Sequence, residues 1–469
     1  MKTTLYKYLL TCMSVLLFTA CDLVGSIDDI EQKYVLTDEN VISDATSAEV
    51  ALNGVYSSWR NIRIAWFRHY LDALTGTETE ANIVGMTGFS SNNVLDTNTG
   101  VADNYIALYN VVNNASSFIT NVGKGDVKGL TDERKTEAIA EARFHRAMAY
   151  MYLLRQYGEF YNLNSKYGIV LYQDNPIRDN EAISRSTVKE SYDAILSDLD
   201  FAINNAPVYT YHYKVSRLTA QALKARVLLY QQDYRNAAAT AMQVINEGVA
   251  YGYYLEDNFT SIFSNSYSSS EVIFALYNSY PNERDADSNW NQYSGNTIMT
   301  LAYSVGAAEG VDRRYFNTFE NLDPSKYWLR NNKYPNYYYD TAEPENTYFF
   351  IRMAEMYYIV AEAEMRSGNE AAARQAMKDI ICNERAGYDE NYVDNIPAED
   401  FLLMVLQHKW LELATENNEE WYDLVRYHVH DGLVIAPTYV TSDAHLTMPI
   451  PRTALAGNNL LEQNPSYAL

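Results

Sequence analysis

The sequence predicts an all-α protein built from tetratricopeptide-like helix pairs that carries one long, loop-rich insertion. Three features lead to this fold class: an amphipathic segment at residues 138–160, a two-helix spacing that occurs twice, and a stretch at residues 251–347 without sustained periodicity. Of the 469 residues, 47% are apolar, so the chain can bury a large core.

The strongest helical pattern runs from Ala138 to Phe160. Its apolar positions recur at the spacing of a core-facing helix: Ala140, Phe144, Ala147, Met148, Met151 and Leu154. Thr131 and the acidic residues after it predict the start of the helix, and Gly158 predicts its end in a left-handed conformation. Small residues on the opposite face, Ala142 and Ala149, indicate that the helix packs between two others.

The first residues of the chain have the composition of a secretory signal. Two lysines precede the apolar run Leu9–Phe18, and Cys21 follows a Thr-Ala pair that resembles a lipoprotein cleavage site. The alternative, a transmembrane helix, needs roughly 20 apolar residues, about twice this run. The sequence therefore predicts a signal peptide at residues 1–20, and a lipidated Cys21 with a flexible tether at residues 21–45. Cys12 would leave with the signal, so Cys382 could form no internal disulfide.

The formal net charge of −24 argues against nucleic acid as a partner, because such a surface repels phosphate backbones. Acidic charge also keeps a protein soluble, and that is its general role here. Tyrosine is abundant, with 42 residues against 15 phenylalanines. An apolar ring with a polar tip suits half-wet surfaces and ligand grooves.

Further helices are predicted on both sides of the central one. A capping box of Thr46 and Glu49 is expected to open a helix that runs through Trp59. Residues 76–104 are rich in Gly, Ser, Thr and Asn and predict an ordered loop, after which the helical pattern returns from Asp103 to Val122. The segment Ser184–Ala206 is also helical, opened by Ser186 and Glu190.

A small-and-large spacing typical of tetratricopeptide helix pairs occurs in two places. The first copy comprises Ala225, Leu228, Tyr234, Ala237 and Ala241, and the second Ala361, Gly368, Ala373 and Met377. The second copy has Glu364 where the first has Leu228, so the match is partial. The alternative is an ordinary set of antiparallel helices.

Several runs of the chain resemble the SusD/RagB family of nutrient-binding lipoproteins, which lie on the outer surface of certain Gram-negative bacteria. They are EARFHRAMAYMYLLRQYGEF, the helices of residues 349–386, the run ending in WYDLVR, and a terminal stretch with Pro449, Pro451, Asn464, Pro465 and Tyr467. The resemblance implies a SusD-like α-helical domain over residues 46–469. It also implies an outer-membrane location through the lipid anchor, and a SusC-like TonB-dependent transporter as partner.

The insertion at residues 251–347 is the predicted ligand face, since long aromatic-rich loops in compact proteins are usually functional. Flat aromatic rings can stack on the apolar faces of sugar rings, and amide and guanidinium groups beside them can hydrogen-bond to the sugar hydroxyls. The candidates are Trp290, Asn291 and Tyr293, then Tyr327, Trp328 and Arg330, with Phe89 and Asn92 of the earlier loop as an alternative place. Asn331 and Tyr334 belong to the same aromatic-rich stretch. Each Trp could instead be a packing residue.

Recognised catalytic and phosphate-binding motifs are absent from the sequence, and His428 and His430 lack the further ligands that a metal needs. We therefore predict no catalytic residues, no metal and no cofactor. The expected function is oligosaccharide capture and delivery to the transporter, with a peptide as the alternative ligand. A surface glycoside hydrolase, which needs only two placed carboxylates, and a helical scaffold for proteins are the other readings.

Overall fold

The computed structural model describes residues 42–77, 85–172, 182–277, 293–294, 305, 312–323, 328–334, 346–433 and 444–468. The predicted signal peptide and Cys21 lie outside this range, as do Trp290, Asn291 and Tyr327. Among the described residues no helix is both long and apolar enough to cross a bilayer.

The described chain is mainly helical, which confirms the predicted fold class. Its α-helices in chain order are α1 Ala45–Ser57, α2 Ile62–Thr75, α3 Thr99–Gly123, α4 Asp132–Tyr157, α5 Val188–Asn205, α6 Arg217–Tyr230, α7 Tyr234–Gly248, α8 Phe259–Ser264, α9 Arg313–Thr318, α10 Met353–Arg366, α11 Glu370–Ile381, α12 Glu390–Asn395, α13 Phe401–Leu413, α14 Glu419–Asp431 and α15 Arg452–Gly457.

Helix α4 is the centre of the fold, and it lies between α3 and α5 as its two small-residue faces predicted. Ala147 on one face and Ala142 on the other are both fully buried. Thr131 caps the helix, with its hydroxyl accepting from the Arg134 N–H at 3.2 Å. The prediction of a left-handed conformation for Gly158 was wrong, because the residue is extended, with φ −108°. A Cβ at this position would lie only 3.0 Å from the Leu154 carbonyl oxygen, a tight contact that favours glycine.

Two other helix starts differ from the prediction by one or two residues. Asp44, and not Thr46, caps α1 in a capping box with Ser47. Thr187, and not Ser186, caps α5, again in a capping box with Glu190. In each case a residue one or two positions away offered a similar side chain, so sequence spacing alone did not identify the cap.

The tetratricopeptide-like pairs are present. Helices α6 and α7 pack against each other across a short turn, α10 and α11 do the same, and α7 packs against α10. The small residues of the repeat lie at these contacts with no solvent exposure: Ala225, Ala237, Ala241, Ala361 and Ala373. Small side chains let the helix backbones approach closely, and this explains why the spacing recurs.

The described part of the predicted insertion contains short strands that the sequence did not reveal. Strand β1, Val272–Ala275, pairs antiparallel with β5, Phe349–Arg352. Residues 349–352 had been expected to begin a helix, but α10 starts only after this buried strand. Strands β2 Tyr293–Ser294, β3 Phe319–Asp323 and β4 Trp328–Asn331 form a second sheet in the order β2-β4-β3.

Candidate functional site

The three-stranded sheet brings together the two segments that the sequence singled out separately. Tyr293 of β2 pairs with Leu329 of β4, and Ser294 pairs with Trp328. Arg330 lies opposite Glu320 of β3. The backbone therefore joins the candidate positions 293, 328 and 330 in one sheet, although 35 residues separate the first two in sequence.

The residues that follow β4 anchor this sheet to the helical core. Lys333 is buried, and its Nζ donates to Glu416 Oε1 at 2.7 Å and to the carbonyl oxygens of Glu412 and Ala414. Tyr334 has no exposed surface, and its hydroxyl donates to the Thr415 carbonyl at 2.7 Å. The strand that carries Trp328 and Arg330 thus ends in a rigid, fully packed segment.

Two residues that the sequence suggested for the ligand face belong instead to this anchor. Asn331 is 1% exposed and donates from Nδ2 to Thr415 Oγ1 at 2.7 Å. The Tyr334 ring lies under the Arg68 guanidinium, 4.5 Å from its centroid. Both side chains are satisfied inside the protein, so their role is structural.

The anchor is charged, and its charges are paired. Glu416 accepts from Arg352 as well as from Lys333, at 2.7 Å in each case. Burial acts to raise the pKa of Glu416, but the charges of Arg352 and Lys333 overcome it and hold the pKa below its ordinary value. Burial lowers the pKa of Lys333, against the opposing charge of Glu416. A satisfied buried network of this kind fixes the geometry of what it supports.

Phe89 and Asn92, the alternative site, are also placed by packing. The Phe89 ring has no exposed surface and lies 5.8 Å from the Phe67 ring and 5.2 Å from the Tyr70 ring, so it offers no free face to a ligand. Asn92 adopts a left-handed conformation at φ 48°, a common one for Asn in a turn, and its carbonyl accepts from His445 Nδ1 at 2.9 Å.

The same loop nevertheless surrounds an open hollow of about 530 Å³, and most of the residues that line it have polar side chains. Leu95 on its rim is 61% exposed. The lining residues are Thr87, Gly88, Ser91, Asn93, Leu95, Thr97 and Asn98.

An aromatic surface that sequence reasoning missed lies elsewhere, and we call it the tyrosine surface. It combines the Y-T-Y-H-Y run before α6 with tyrosines that lie between the end of α7 and the residues just after β1. Its members are Tyr209, Tyr211, Tyr213, Tyr251, Tyr267 and Tyr277. The Tyr209 and Tyr251 rings stack at 5.6 Å, and those of Tyr211 and Tyr213 at 5.2 Å. Tyr211 is 66% exposed. The run of three tyrosines within five residues was the available signal.

The described residues give little support to the glycoside hydrolase reading or to a metal site. Two carboxyl groups whose pKa burial raises, Glu355 and Glu420, lie in the core with exposures of 0% and 2%. No cluster of three or more His, Cys, Asp or Glu side chains that could hold a metal occurs within the described ranges. His428 and His430 lie in the last turn of α14, and burial lowers the pKa of His430.

Comparisons with known proteins agree with this architecture. A family model described as the SusD family matches residues 97–446. SusD-like protein P2 of Formosa agariphila is 25% identical over 98% of this chain and 100% of its own length. A SusD-like protein of Bacteroides ovatus is 26% identical over 44% of this chain and 36% of its own.

Solved structures show the same fold at low identity. A SusD superfamily protein from Bacteroides thetaiotaomicron superposes with a TM-score of 0.73 at 22% identity, covering 90% of this chain and 100% of that one. A structure described as a laminarin-binding SusD-like protein superposes with a TM-score of 0.68 at 20% identity, covering 91% and 100%.

Proposed function

This chain belongs to the SusD family, and from that premise we propose that it is a cell-surface lipoprotein that captures an oligosaccharide and delivers it to a SusC-like TonB-dependent transporter of the outer membrane. The observation that carries the proposal is the family match over residues 97–446, which spans the helix pairs and the sheet of Tyr293 and Trp328.

An oligosaccharide is the proposed ligand class because one structural neighbour is described as laminarin-binding and because the paired segments are rich in aromatic and amide residues. The residues proposed to contact it are Trp290, Asn291, Tyr293, Tyr327, Trp328 and Arg330. We leave Phe89 out, since its ring is enclosed. A peptide is the alternative ligand of the same fold.

We propose binding without catalysis. A glycosidase needs two carboxyl groups on opposite sides of an accessible sugar, about 5–10 Å apart. Glu355 and Glu420 have the raised pKa expected of a general acid, but both are enclosed by the core. Incubation with candidate glycans should therefore release no sugar from the purified protein, and release would favour the hydrolase.

The anchor is proposed from the sequence alone. Cys21→Ala should abolish lipid labelling, because lipid attachment depends on that thiol, and should either release the protein from the membrane fraction or leave it unprocessed. Cys12→Ala, inside the predicted signal, is the matched control and should be labelled normally. Normal labelling of the Cys21→Ala protein would remove the anchor from the proposal.

The function is tested by calorimetric screening of the purified protein against oligosaccharides and peptides of matched length. We expect binding to an oligosaccharide and none to the peptides, whereas the reverse result would make the protein a peptide binder. Extraction of outer membranes in gentle detergent should recover the protein with a large β-barrel. Recovery of the protein alone would count against the transporter partnership.

A further inference from the structure

A concave pocket of about 240 Å³ opens beside the tyrosine surface. It is built by α1, the turn after it, the loop before α6 and the end of β1, whereas the candidate ligand face is the sheet of β2, β4 and β3. Tyr213 and Tyr277 belong both to the pocket and to the tyrosine surface, with ring centroids 4.6 Å apart. The pocket therefore continues the aromatic surface inward.

The rings around the pocket mouth are exposed and held in fixed orientations. The Tyr211 ring is parallel to that of Tyr213, with an angle of 2° between their planes, and Tyr267 packs edge-on against Tyr213 at 5.4 Å. Tyr211 is mostly exposed, and Tyr277 is 38% exposed. Exposed apolar patches on a soluble protein mark interaction sites, and rings with a polar tip suit a half-wet ligand such as a sugar.

The ammonium group of the pocket is balanced by acidic neighbours. The Lys214 Nζ donates to Asn53 Oδ1 at 2.9 Å. Burial lowers the pKa of Lys214, and the nearby charges of Glu141 and Glu49 oppose that effect. Arg134 also pairs with these two carboxylates, at 2.7 and 2.6 Å. The two cations thus face at least as many carboxylates, so Lys214 gives the pocket no excess of positive charge.

The other polar groups of the pocket are engaged with the protein or uncharged. The Arg60 guanidinium donates to the carbonyl oxygen of Tyr277. Asn53 and Ser57 line the pocket with an amide and a hydroxyl, which can both donate and accept hydrogen bonds. No carboxylate occurs among the described lining residues. The pocket therefore suits an uncharged ligand that carries hydroxyl groups.

A buried imidazole lies in the pocket wall. His145 has no exposed surface, and its Nδ1 accepts from the Trp59 indole N–H at 3.1 Å. Burial lowers the pKa of His145 to about 3, so the ring is neutral and its one proton is on Nε2. Within the described part of the chain this Nε2 has no hydrogen-bond partner. Such groups are rare in folded proteins, and here a ligand oxygen would supply the acceptor.

We propose that the pocket and the tyrosine surface form a second oligosaccharide-binding site, separate from the three-stranded sheet, which takes an uncharged sugar residue. The apolar face of that sugar lies against Tyr213 and Tyr277, and one of its oxygens accepts from His145 Nε2. Its other hydroxyls bond with Asn53 and Ser57. The inference rests on the proposed function only in taking an oligosaccharide as the ligand.

The size of the pocket limits what enters it. Pockets that enclose drug-sized ligands have volumes of about 300–1,000 Å³, and this one is smaller. It therefore takes one sugar residue, and the neighbouring residues of the oligosaccharide lie along the exposed rings outside.

The test is calorimetry with three neutral ligands, laminarihexaose, cellohexaose and mannohexaose, and with hexagalacturonate as the charged probe. Each is titrated into the unchanged protein and into a protein with both Trp290→Ala and Trp328→Ala, which disables the proposed site in the insertion. We expect at least one neutral hexasaccharide to bind to both proteins. Added salt should leave this affinity nearly unchanged, because no ligand charge is involved.

Tyr277→Ala and Tyr211→Ala, each added to the double Trp variant, should weaken this binding by roughly tenfold or more. Both residues are exposed, so the melting temperature should change little. Tyr277→Phe keeps the ring and should bind within about threefold of the double Trp variant. The matched control is Tyr254→Ala, since Tyr254 is exposed and lies outside the pocket lining, and it should not change the affinity.

Binding that is lost in the double Trp variant, or that survives both tyrosine-to-alanine variants, would overturn the second site and leave oligosaccharide capture standing. Tighter binding of hexagalacturonate than of every neutral ligand would overturn the uncharged class. If the tyrosine variants bind sugars normally but no longer copurify with a β-barrel, the tyrosine surface is a protein interface and the inference fails. Failure of all oligosaccharides to bind the unchanged protein would remove the proposed function as well.

Discussion

Arg155 Nη1 and Glu419 Oε1 lie 2.6 Å apart, and neither side chain has any exposed surface. The pair joins α4 to α14, which are 264 residues apart in sequence. Tyr230 of α6 donates to the other oxygen of the same carboxylate at 2.9 Å. One carboxylate thus ties together three helices, two of which carry family-like sequence runs.

Removing that carboxylate should destabilise the protein strongly. Glu419→Gln leaves the Arg155 charge buried without its partner, and we expect a loss of about 3–5 kcal/mol in the free energy of unfolding. Denaturant titration measures it. Glu462→Gln, which breaks the exposed pair with Lys166, is the control and should change stability little. Equal stability of the two variants would mean that the core adapts to the loss.

The pH dependence of stability should reveal the buried carboxyl group of Glu420. Burial raises its pKa well above the ordinary value of 4.5, and the charge of Asp72 raises it further. A raised folded-state pKa means that the protonated group stabilises the fold fully below pH 4.5 and that this contribution is lost as the pH rises toward the folded pKa.

Glu420→Gln keeps nearly the shape of the protonated carboxyl group and cannot ionise in the folded or the unfolded protein. Its stability relative to the unchanged protein should therefore increase with pH above 4.5, by up to about 1.4 kcal/mol per pH unit, until the pH reaches the folded pKa of Glu420. Denaturant titrations at several pH values give the slope, and the exposed Glu247→Gln serves as control. A difference that does not change with pH would show that Glu420 is ionised in the folded protein.

The C-terminal segment should depend on one amide. Asn464 is 1% exposed, and its Nδ2 donates to the carbonyl oxygens of Tyr157 at 3.0 Å and Met448 at 2.8 Å. Asn464→Ala leaves these acceptors without that donor, at a cost of about 1–3 kcal/mol. Limited proteolysis should then cleave the tail faster, while the exposed Asn459→Ala should not change the cleavage rate. Unchanged cleavage in both variants would contradict the anchoring role.

Trp290→Ala and Trp328→Ala separate a ligand platform from a packing role. At a platform, loss of the ring should weaken oligosaccharide binding by at least about tenfold, or 1.4 kcal/mol, with little change in melting temperature. If the Trp is a packing residue, its Ala variant should lose roughly 3–5 kcal/mol in the free energy of unfolding, and the folded variant should bind with unchanged affinity. Trp66→Ala, outside the insertion and partly buried, is the control for affinity. Early melting with normal affinity in both variants would place the site elsewhere.

The helical scaffold could be predicted because its determinants are local. Ala142 and Ala147 lie on opposite faces of one helix, and small residues at these spacings mean close neighbours on both sides. Helix α2 was missed because polar residues lie among the apolar ones on its buried surface. Arg68 and Asp72 interrupt the apolar pattern and are buried by partners far along the chain, Tyr334 and Asn418.

The candidate site was less predictable because its geometry is non-local. The register that puts Tyr293 opposite Leu329 depends on strand pairing across an insertion. In the sequence Asn331 resembles a ligand-binding amide, but its side chain donates to Thr415, which lies 84 residues later in the chain. The tyrosine surface draws on four separate segments, so only its first run was visible in the sequence.

The pairing of β1 with β5 has a consequence for how this protein can vary. The Leu276 N–H donates to the Tyr348 carbonyl at 3.0 Å, so the chain leaves the helical scaffold and returns to it at adjacent points. Closing a loop costs entropy that rises only slowly with its length. The parts of residues 277–347 outside the buried contacts of Arg314, Lys333 and Tyr334 can therefore lengthen, shorten or diverge while the helices stay in place. Ligand preference can then evolve separately from the scaffold. A segment exchanged between two relatives at these junctions should carry its own preference into the new host.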